Sequence, residues 1–241
     1  MSAEKHVAIV LAGGSGRRMG MDIPKQYLAV GGKPLIYFAL KAFQDSAMDE
    51  IVLVCGRGET DFCRTRIVEQ YELTKVKQIV EGGAERYHSV WEGLKAAGEC
   101  DYIYVHDGAR PFLEQETICR LMASVRQEKA CVAAVPVKDT IKVTDADGVV
   151  VDTPPRDRLW TVQTPQCFAH QLIYSSYQKM IDTEREWMAA GLRITDDAMA
   201  VEYFSDAVVR VVMGSYRNRK ITTPDDLLLL QQMEKETSEL R

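Results

Sequence analysis

The chain has 241 residues, of which 46% are hydrophobic and 27% are charged, a balance typical of a globular protein that buries its core without disulfides or structural metals. Its formal net charge of -5 argues against a nucleic-acid-binding protein, because such proteins present a basic face. The six cysteines form no C-x-x-C pair and no zinc-spaced cluster, which favours reduced, packed thiols. No basic leader precedes an apolar segment and no apolar run reaches 18 residues, so we expect a soluble, cytoplasmic protein without a membrane partner.

Apolar runs alternate with helical spacing over the first half of the chain. The patterns predict strands at 6–12, 50–55, 76–80, 101–105 and 130–137, and helices at 34–43, 59–72, 85–97 and 114–127. This alternation predicts an α/β fold, a Rossmann-like and mostly parallel sheet flanked by helices. Because ligands of such sheets bind beyond the carboxyl ends of the strands, we expect the chemistry in the loops that begin at Gly13, Gly56, Gly82 and His106.

The pattern changes after Val137. Residues 138–151 alternate around Asp147-Gly148, a pair typical of a hairpin turn, and predict a β-hairpin arm inserted into the α/β domain. Such an arm packs on another subunit or forms a surface flap, and the pattern alone does not decide between the two. Later patterns predict helices at 170–190 and 196–204, a strand at 208–213 and a last helix that begins at Thr223-Pro224. We therefore predict a single domain over 1–241 with a β-arm at about 138–160.

The strongest functional signal follows the first strand, in the segment LAGGSGRRMG and the PKQ after it. Glycines let backbone N–H groups approach an anion, and Arg17, Arg18 and Lys25 add positive charge. The spacing matches neither the dinucleotide fingerprint nor the P-loop, which disfavours a dehydrogenase and a P-loop kinase. A tight turn between strand and helix is the structural alternative, and the three cations favour phosphate binding over it.

Three further segments carry weaker signals. Gly82-Gly83 opens a predicted helix with Arg86 and Ser89 on one face, although a plain loop and capped helix fit equally well. Asp107 ends a strand, where a carboxylate suits Mg²⁺, or forms a turn before glycine. His106 is expected to be structural. No G-x-S-x-G or H-E-x-x-H motif supports a hydrolase or a metalloprotease.

Together these motifs resemble the 2-C-methyl-D-erythritol 4-phosphate cytidylyltransferase family of the non-mevalonate isoprenoid pathway. The matching segments are LAGGSGRRMG with PKQYL, GGAERYHSV, VHDGARPF, PVKDTIK, TPPRDRLW with QTPQ, and RKITTPDDL, in this order over nearly the whole chain. The resemblance implies an enzyme that joins CTP to 2-C-methyl-D-erythritol 4-phosphate and releases pyrophosphate. The spacing of R-x-x-L-W and Q-T-P-Q favours this family over its relative that acts on ribitol 5-phosphate, which stays the alternative.

The resemblance also implies roles for individual residues. Arg18 and Lys25 match the transition-state stabilisers. The positions implied to bind CTP are Ala12, Gly13, Gly14, Ser15, Gly16, Gly82, Arg86 and Ser89. Those implied to position the polyol phosphate are Asp107, Arg110, Thr140, Arg156, Thr164 and Lys220, with Asp107 also near Mg²⁺ or another divalent cation. The family's arm reaches across a homodimer, so Arg156 and Thr164 are expected to serve the partner's site. Gly108 is expected to tolerate alanine, which is also common there in the family.

The implied reaction fits these residue types. The attacking phosphate oxygen is already an anion at neutral pH, so the reaction requires positioned cations more than it requires a general base. The sequence is also compatible with a nucleotidyltransferase for hexose 1-phosphates that uses UTP or GTP, and with a nucleotide-binding regulator without turnover. The presence of both Arg18 and Lys25 weighs against the regulator, because binding alone tolerates the loss of such cations better than catalysis does.

Overall fold

The structure is a computed structural model that describes residues 4–14, 24–222 and 226. The strands are β1 (His6–Leu11), β2 (Ala29–Val30), β3 (Lys33–Pro34), β4 (Glu50–Cys55), β5 (Val76–Glu81), β6 (Tyr102–Asp107), β7 (Ala130–Pro136), β8 (Val143–Thr144), β9 (Val150–Asp152), β10 (Trp160–Ala169) and β11 (Arg210–Met213). The helices are α1 (Leu35–Gln44), α2 (Thr60–Phe62), α3 (Arg86–Ala97), α4 (Gln115–Glu128), α5 (His170–Asp182), α6 (Glu184–Ala189) and α7 (Asp197–Phe204). The predicted last helix lies outside the described residues.

A seven-stranded sheet forms the centre, in the order β11-β7-β10-β6-β1-β4-β5. Neighbouring strands pair in parallel except β10, which runs antiparallel between β6 and β7. The mostly parallel α/β fold that the sequence predicts is therefore confirmed. Because β10 runs against the others, its amino-terminal part lies at the edge where the parallel strands end, which is the edge that binds ligands in such sheets.

Helices cover both faces of the sheet, because the central strands are apolar on both sides. One apolar core packs α1, α4 and the π-helical segment Cys63–Glu69, which continues α2, against the first face. A second core packs α3, α5, α6 and α7 against the other face. Gly93 lets α3 approach β1 closely, since a Cβ there would lie 2.5 Å from the Cγ2 of Ile9. Within the described ranges no helix is both long and apolar enough to cross a membrane.

The structure departs from the sequence prediction at four places. The strand β10 was not predicted, because Gln163-Thr164-Pro165-Gln166 is polar and contains a proline, and the pairing with β7 shifts register between Val162 and Gln166. The two-residue strands β2 and β3 were not predicted either. The predicted helix at 170–190 is two helices, α5 and α6, which meet at Thr183. The predicted helix at 59–72 is the short α2 followed by a π-helical segment. The other predicted strands and helices within the described residues are confirmed, with ends that differ by a few residues.

The β-hairpin that the sequence predicts forms after β7, and its residues are exposed. The strands β8 and β9 pair antiparallel, and the turn between them contains Gly148 at φ +83°, a left-handed conformation that glycine adopts without strain. We call residues 138–162 the arm. Its apolar side chains are exposed: Ile141, Val143, Val149, Val150, Val151, Trp160 and Val162.

Candidate active site

The glycine loop begins where β1 ends. The N–H of Ala12 donates to the carbonyl of Val54 at 2.6 Å, and a Cβ on Gly13 would lie 3.3 Å from the carbonyl oxygen of Cys55. At Gly14 no atom of a described residue lies within 4 Å of an added Cβ. The backbone is therefore tightly packed where it leaves β1 and less crowded by described residues at Gly14. The predicted residues Ser15, Gly16 and Arg18 lie outside the described residues.

Lys25 begins a 3-10 turn, Lys25–Tyr27, whose other two side chains fix its place. The buried Gln26 donates from Nε2 to the carbonyl of Ala12 at 2.5 Å. The hydroxyl of Tyr27 donates to Oε2 of Glu59 at 2.7 Å, and the same oxygen accepts from the N–H of Gly56 at 2.9 Å. These bonds hold the turn that carries Lys25 against the ends of β1 and β4.

The second glycine pair lies where β5 ends. Gly82 donates its N–H to the carbonyl of Cys55 at 2.8 Å. The helix α3 follows, with Glu85 as its N-cap, and Nδ1 of His88 accepts from the N–H of Glu85 to complete a capping box. Ser89 is buried one turn into the helix, and a Cβ on Gly82 would lie 2.6 Å from its hydroxyl. The structure thus brings Gly82 and Ser89 together, as the sequence predicts.

A cluster of charges surrounds Asp107 at the end of β6. Lys220 contacts its Oδ2 at 2.8 Å, Arg86 contacts its Oδ1 at 3.3 Å, and Nε of Arg110 lies 3.8 Å from Oδ2. Burial by itself raises the pKa of Asp107, but Arg86 and Lys220 together lower it by more than burial raises it. The net pKa therefore lies well below the usual range. Asp107 is therefore ionised at any physiological pH. Four of the predicted site residues meet in what we call the Asp107 cluster.

Arg86 also binds a carboxylate that sequence reasoning missed. Its Nη1 and Nη2 donate to the two carboxylate oxygens of Asp197 at 2.8 Å each, and Asp197 is completely buried. Burial lowers the pKa of Arg86, but Asp197 and Asp107 raise it more, and its net pKa is well above normal. The only sequence signal was an Asp-Asp pair before a helix, which is also typical of an ordinary N-cap.

Thr164 lies beside Asp107 of its own chain, and its expected contribution to the partner's site stays a prediction. It is buried in β10, where its Oγ1 accepts from the N–H of Asp107 at 3.1 Å and lies 3.0 Å from Nδ1 of His106. The antiparallel course of β10, which the sequence did not predict, delivers Thr164 to this position.

His106 is structural, as expected. Its Nε2 lies 3.1 Å from the carbonyl of Arg110; because that carbonyl only accepts, Nε2 carries the proton and Nδ1 accepts from the hydroxyl of Thr164. Burial lowers the pKa of His106 to about 4. A neutral, completely buried imidazole of this kind is not placed to act as a general base.

Arg110 contributes a guanidinium that is only partly satisfied. Its Nη1 donates to the carbonyl of Asn218 at 2.9 Å. Its Nε is buried and donates no hydrogen bond to any described residue. Lys220, two residues after Asn218, contacts Asp107 as described above.

Thr140 and Arg156 lie on the exposed arm, apart from the Asp107 cluster. Arg156 is in the 3-10 turn Arg156–Arg158, and its Nη1 donates to the carbonyl of Lys138 at 2.8 Å. The structure of one chain therefore does not bring these two predicted residues to the site.

Gly108 does not have room for alanine, contrary to expectation. An added Cβ would lie 2.8 Å from the backbone carbonyl oxygen of Leu11, and the N–H of Gly108 already donates to that same oxygen at 2.9 Å. The crowded atom belongs to the backbone of the central strand β1, which has little freedom to move.

Among the described residues, Asp107 is a carboxylate at the ligand-binding edge that could bind a divalent cation. No group of three or more His, Cys, Asp or Glu side chains among them could hold a metal ion. Asp107 is ionised at the ligand-binding edge, which fits the way Mg²⁺ binds through one or two carboxylates together with substrate phosphates. The donor set therefore fits a metal that arrives with a nucleotide, and it does not fit a metal held by protein ligands alone.

Comparison with known proteins agrees with this geometry. The family model of 2-C-methyl-D-erythritol 4-phosphate cytidylyltransferase matches residues 6–235. The protein of that name from Lachnospira eligens is 46% identical over 223 residues, which cover 92% of this chain and 96% of the relative. The one from Lachnoclostridium phytofermentans is 41% identical and covers 95% of each chain.

Solved structures give the same result. The crystal structure of 4-diphosphocytidyl-2C-methyl-D-erythritol synthase from Anaerococcus prevotii superposes with a TM-score of 0.81 at 34% identity, covering 96% of this chain and 99% of that one. The 2-C-methyl-D-erythritol 4-phosphate cytidylyltransferase from Francisella tularensis superposes with a TM-score of 0.77 at 29% identity, covering 95% and 99%. From its motifs, its fold and these matches, the chain belongs to the 2-C-methyl-D-erythritol 4-phosphate cytidylyltransferase family.

Proposed function

We propose that the Asp107 cluster and the adjoining glycine loop are the place where the cytidylyl group of CTP is transferred to 2-C-methyl-D-erythritol 4-phosphate. The observation that supports this most is the gathering of Arg86, Arg110 and Lys220 around one carboxylate at the carboxyl edge of the sheet. With Asp107 and Asp197 as the two anions, the three cations leave one net positive charge. A site of this charge attracts phosphate groups.

The reaction needs these groups for positioning and charge neutralisation. A phosphate oxygen of the polyol attacks the α-phosphorus of CTP in line, a new P–O bond forms, and the bond to the pyrophosphate breaks. Lys220 and Arg110 are proposed to hold the acceptor phosphate, while Lys25 and Arg18 stabilise the negative charge that grows on the phosphorus and the leaving group. No proton has to be removed from the nucleophile, which agrees with the buried and neutral His106.

A divalent cation is part of the proposal. Asp107 would hold it together with phosphate oxygens of CTP, and Mg²⁺ bound there would supply positive charge that neutralises the triphosphate. The low pKa of Asp107, which Arg86 and Lys220 cause against the opposing effect of burial, keeps this ligand ionised without any change of pH.

The arm is proposed to form a homodimer and to bring Thr140 and Arg156 to the partner's site. The support is its exposed apolar surface, with Val149, Val150 and Val151 between 52% and 61% exposed, because contiguous apolar side chains of this kind are typical of interfaces. We also propose a cytoplasmic location, since all six cysteines are free thiols and the cytosol keeps thiols reduced.

Pyrophosphate release tests the function directly. Purified protein with Mg²⁺ and CTP is given either 2-C-methyl-D-erythritol 4-phosphate or ribitol 5-phosphate, and release is expected only with the first. Release with ribitol 5-phosphate alone would keep the chemistry and change the acceptor. Replacing CTP with UTP or GTP tests the base, and CTP is expected to support the highest rate.

A further inference from the structure

A buried carboxylate outside the predicted site has an unusually complete set of partners. Asp197 begins α7 and has no exposed surface. Its two carboxylate oxygens accept the parallel pair of hydrogen bonds from Arg86 at 2.8 Å, and the hydroxyl of Tyr177 donates to Oδ1 at 2.5 Å. A bidentate pair of this kind fixes the plane of the guanidinium as well as its charge.

The backbone around this carboxylate is fixed too. Oε1 of Gln166 accepts from the N–H groups of Asp197 and Ala198 at 2.9 and 2.8 Å, and its Nε2 donates to Asp196 at 2.9 Å. Gln166 lies in β10, two residues after Thr164, which itself bonds to Asp107. These hydrogen bonds connect Asp197 to β10, the strand that also carries Thr164.

The contacts run from Asp197 into the Asp107 cluster without a gap. The guanidinium of Arg86 binds Asp197 with its two terminal nitrogens and Asp107 with its Nε. The opposite oxygen of Asp107 holds the ammonium of Lys220. The orientation of the buried Asp197 carboxylate thus determines the position of the Arg86 guanidinium. Arg86 and Lys220 in turn contact the two different carboxylate oxygens of Asp107.

We infer that Asp197 is a positioning residue of the transfer reaction, which orients Arg86 and, through Asp107, the Lys220 ammonium that holds the acceptor phosphate. This inference rests on the proposed function. The inferred role of Asp197 requires two acceptor oxygens in one plane for the guanidinium of Arg86. Asparagine has the same shape but offers only one acceptor, and its N–H donor would face an N–H of Arg86.

In Asp197→Asn, Asp107 is the one carboxylate left to pair with Arg86 among its described partners, and the guanidinium is expected to shift toward it. This shift is expected to displace the Lys220 ammonium, which contacts the same carboxylate. Steady-state kinetics should show kcat/KM for 2-C-methyl-D-erythritol 4-phosphate reduced by roughly 10- to 100-fold, the order that a misplaced positioning group costs. Tyr177→Phe removes one hydrogen bond and keeps the charge, and it is expected to cause a smaller loss in the same direction.

Asp49→Ala is the control. Asp49 lies beside the amino-terminal end of β1, at the edge of the sheet opposite the Asp107 cluster, where its Oδ2 accepts from the N–H of His6 at 2.8 Å. Its loss is expected to lower the unfolding temperature while kcat/KM stays within about twofold of the wild type, because this hydrogen bond lies outside the contacts that hold Asp197 and Arg86. Equal kinetic losses in Asp49→Ala and Asp197→Asn would mean that Asp197 only stabilises the fold, and the inference would be overturned.

A double-mutant cycle with Arg86→Met decides whether Asp197 acts through Arg86. The double variant is expected to lose no more kcat/KM than Arg86→Met alone, and additive losses would overturn the inference. The double variant also contains no unpaired buried charge, so it keeps the test valid if a single variant folds poorly. A wild-type enzyme without turnover would contradict the proposed function, and this inference with it; an active wild type with additive losses would contradict the inference alone.

Discussion

Lys25 and Arg110 are two cations of the proposed site whose positions are fixed by neighbouring residues. Arg110 keeps a buried Nε that bonds to no described residue, and Lys25 sits on a turn that Gln26 and Tyr27 anchor through their own side chains. Anchoring the turn through its neighbours keeps Lys25, the proposed catalytic cation, in one place. Preorganised charge is what lowers the barrier in transfers of this type, because no reorganisation is needed when charge develops.

Replacing Lys25 with alanine is expected to lower kcat by about 10²- to 10³-fold, the loss typical for one preorganised donor to developing charge. The KM for CTP should change much less, because the glycine loop that is proposed to bind the triphosphate is unaltered. Steady-state kinetics at saturating acceptor measure both. Gln70→Ala, on the exposed surface, is a suitable control. An unchanged kcat would remove Lys25 from the catalytic role.

Gly108→Ala is expected to lower the free energy of unfolding by about 1–3 kcal/mol, the usual cost of overpacking. The reason is the 2.8 Å approach of the new Cβ to the backbone oxygen of Leu11. Urea denaturation measures the difference. Gly14→Ala is the control and should differ little in stability, because no atom of a described residue lies within 4 Å of the added Cβ. Equal stability of wild type and Gly108→Ala would contradict the packing described at the end of β1.

His106 is expected to stay neutral far below the usual pKa of histidine. Burial lowers its folded pKa to about 4, whereas the unfolded chain takes up the proton near pH 6.5, so this residue destabilises the fold as pH falls from about 6.5 to about 4, by roughly 3 kcal/mol in all. The ring signals of His106 in NMR spectra, assigned with His106→Gln, should not titrate above about pH 5. A midpoint near 6.5 would refute the buried, neutral state.

The sequence was sufficient to find the cations and Asp107, but not their arrangement. Arg86, Asp107, Arg110 and Lys220 stand in recognisable motifs, whereas Asp197 is 111 residues from its partner Arg86 in a segment with the composition of an ordinary helix start. Only the packed sheet brings them together. Long-range ion pairs of this kind leave no local pattern, which explains why Asp197 was missed.

Among the elements, β10 brings Thr164 to Asp107 in the single chain, and the arm is proposed to complete the partner's site. Apolar runs identified the parallel strands correctly, because strands buried on both faces are continuous apolar segments. The strand β10 escaped prediction because it contains buried polar residues, of which Thr164 accepts from the N–H of Asp107 and Gln166 from the N–H of Asp197. Its proline also falls at a register shift. Functional residues inside a strand disrupt the very pattern that identifies strands.

The arm is expected to hold the dimer together through its apolar side chains. Val151→Asp places a charge on a residue that is 61% exposed in the single chain, and it should shift the protein toward monomers because an interface excludes an unpaired charge. Light scattering after size-exclusion chromatography gives the mass. Val208→Asp, at a 79% exposed site next to β11, is the control and should remain dimeric. A monomeric wild type would show that the arm is a surface flap.

The molecule as a whole is proposed to work as two composite sites, each built from the strand ends of one chain and the arm of the other. The single chain explains why: its loops assemble Asp107, Arg110 and Lys220, while Arg156 stays on the exposed arm. In a symmetric dimer each arm contributes to the opposite site.

Subunit mixing tests this account most directly. Lys25→Ala and Arg156→Ala are purified separately, unfolded, mixed in equal amounts and refolded, and pyrophosphate release is measured with CTP and 2-C-methyl-D-erythritol 4-phosphate. If Arg156 acts in the partner's site, half of the dimers are mixed and each has one intact site, so activity should recover to about a quarter of the wild type. If Arg156 acts in its own chain, every site carries a lesion and the mixture stays as inactive as its components, which would contradict the composite site.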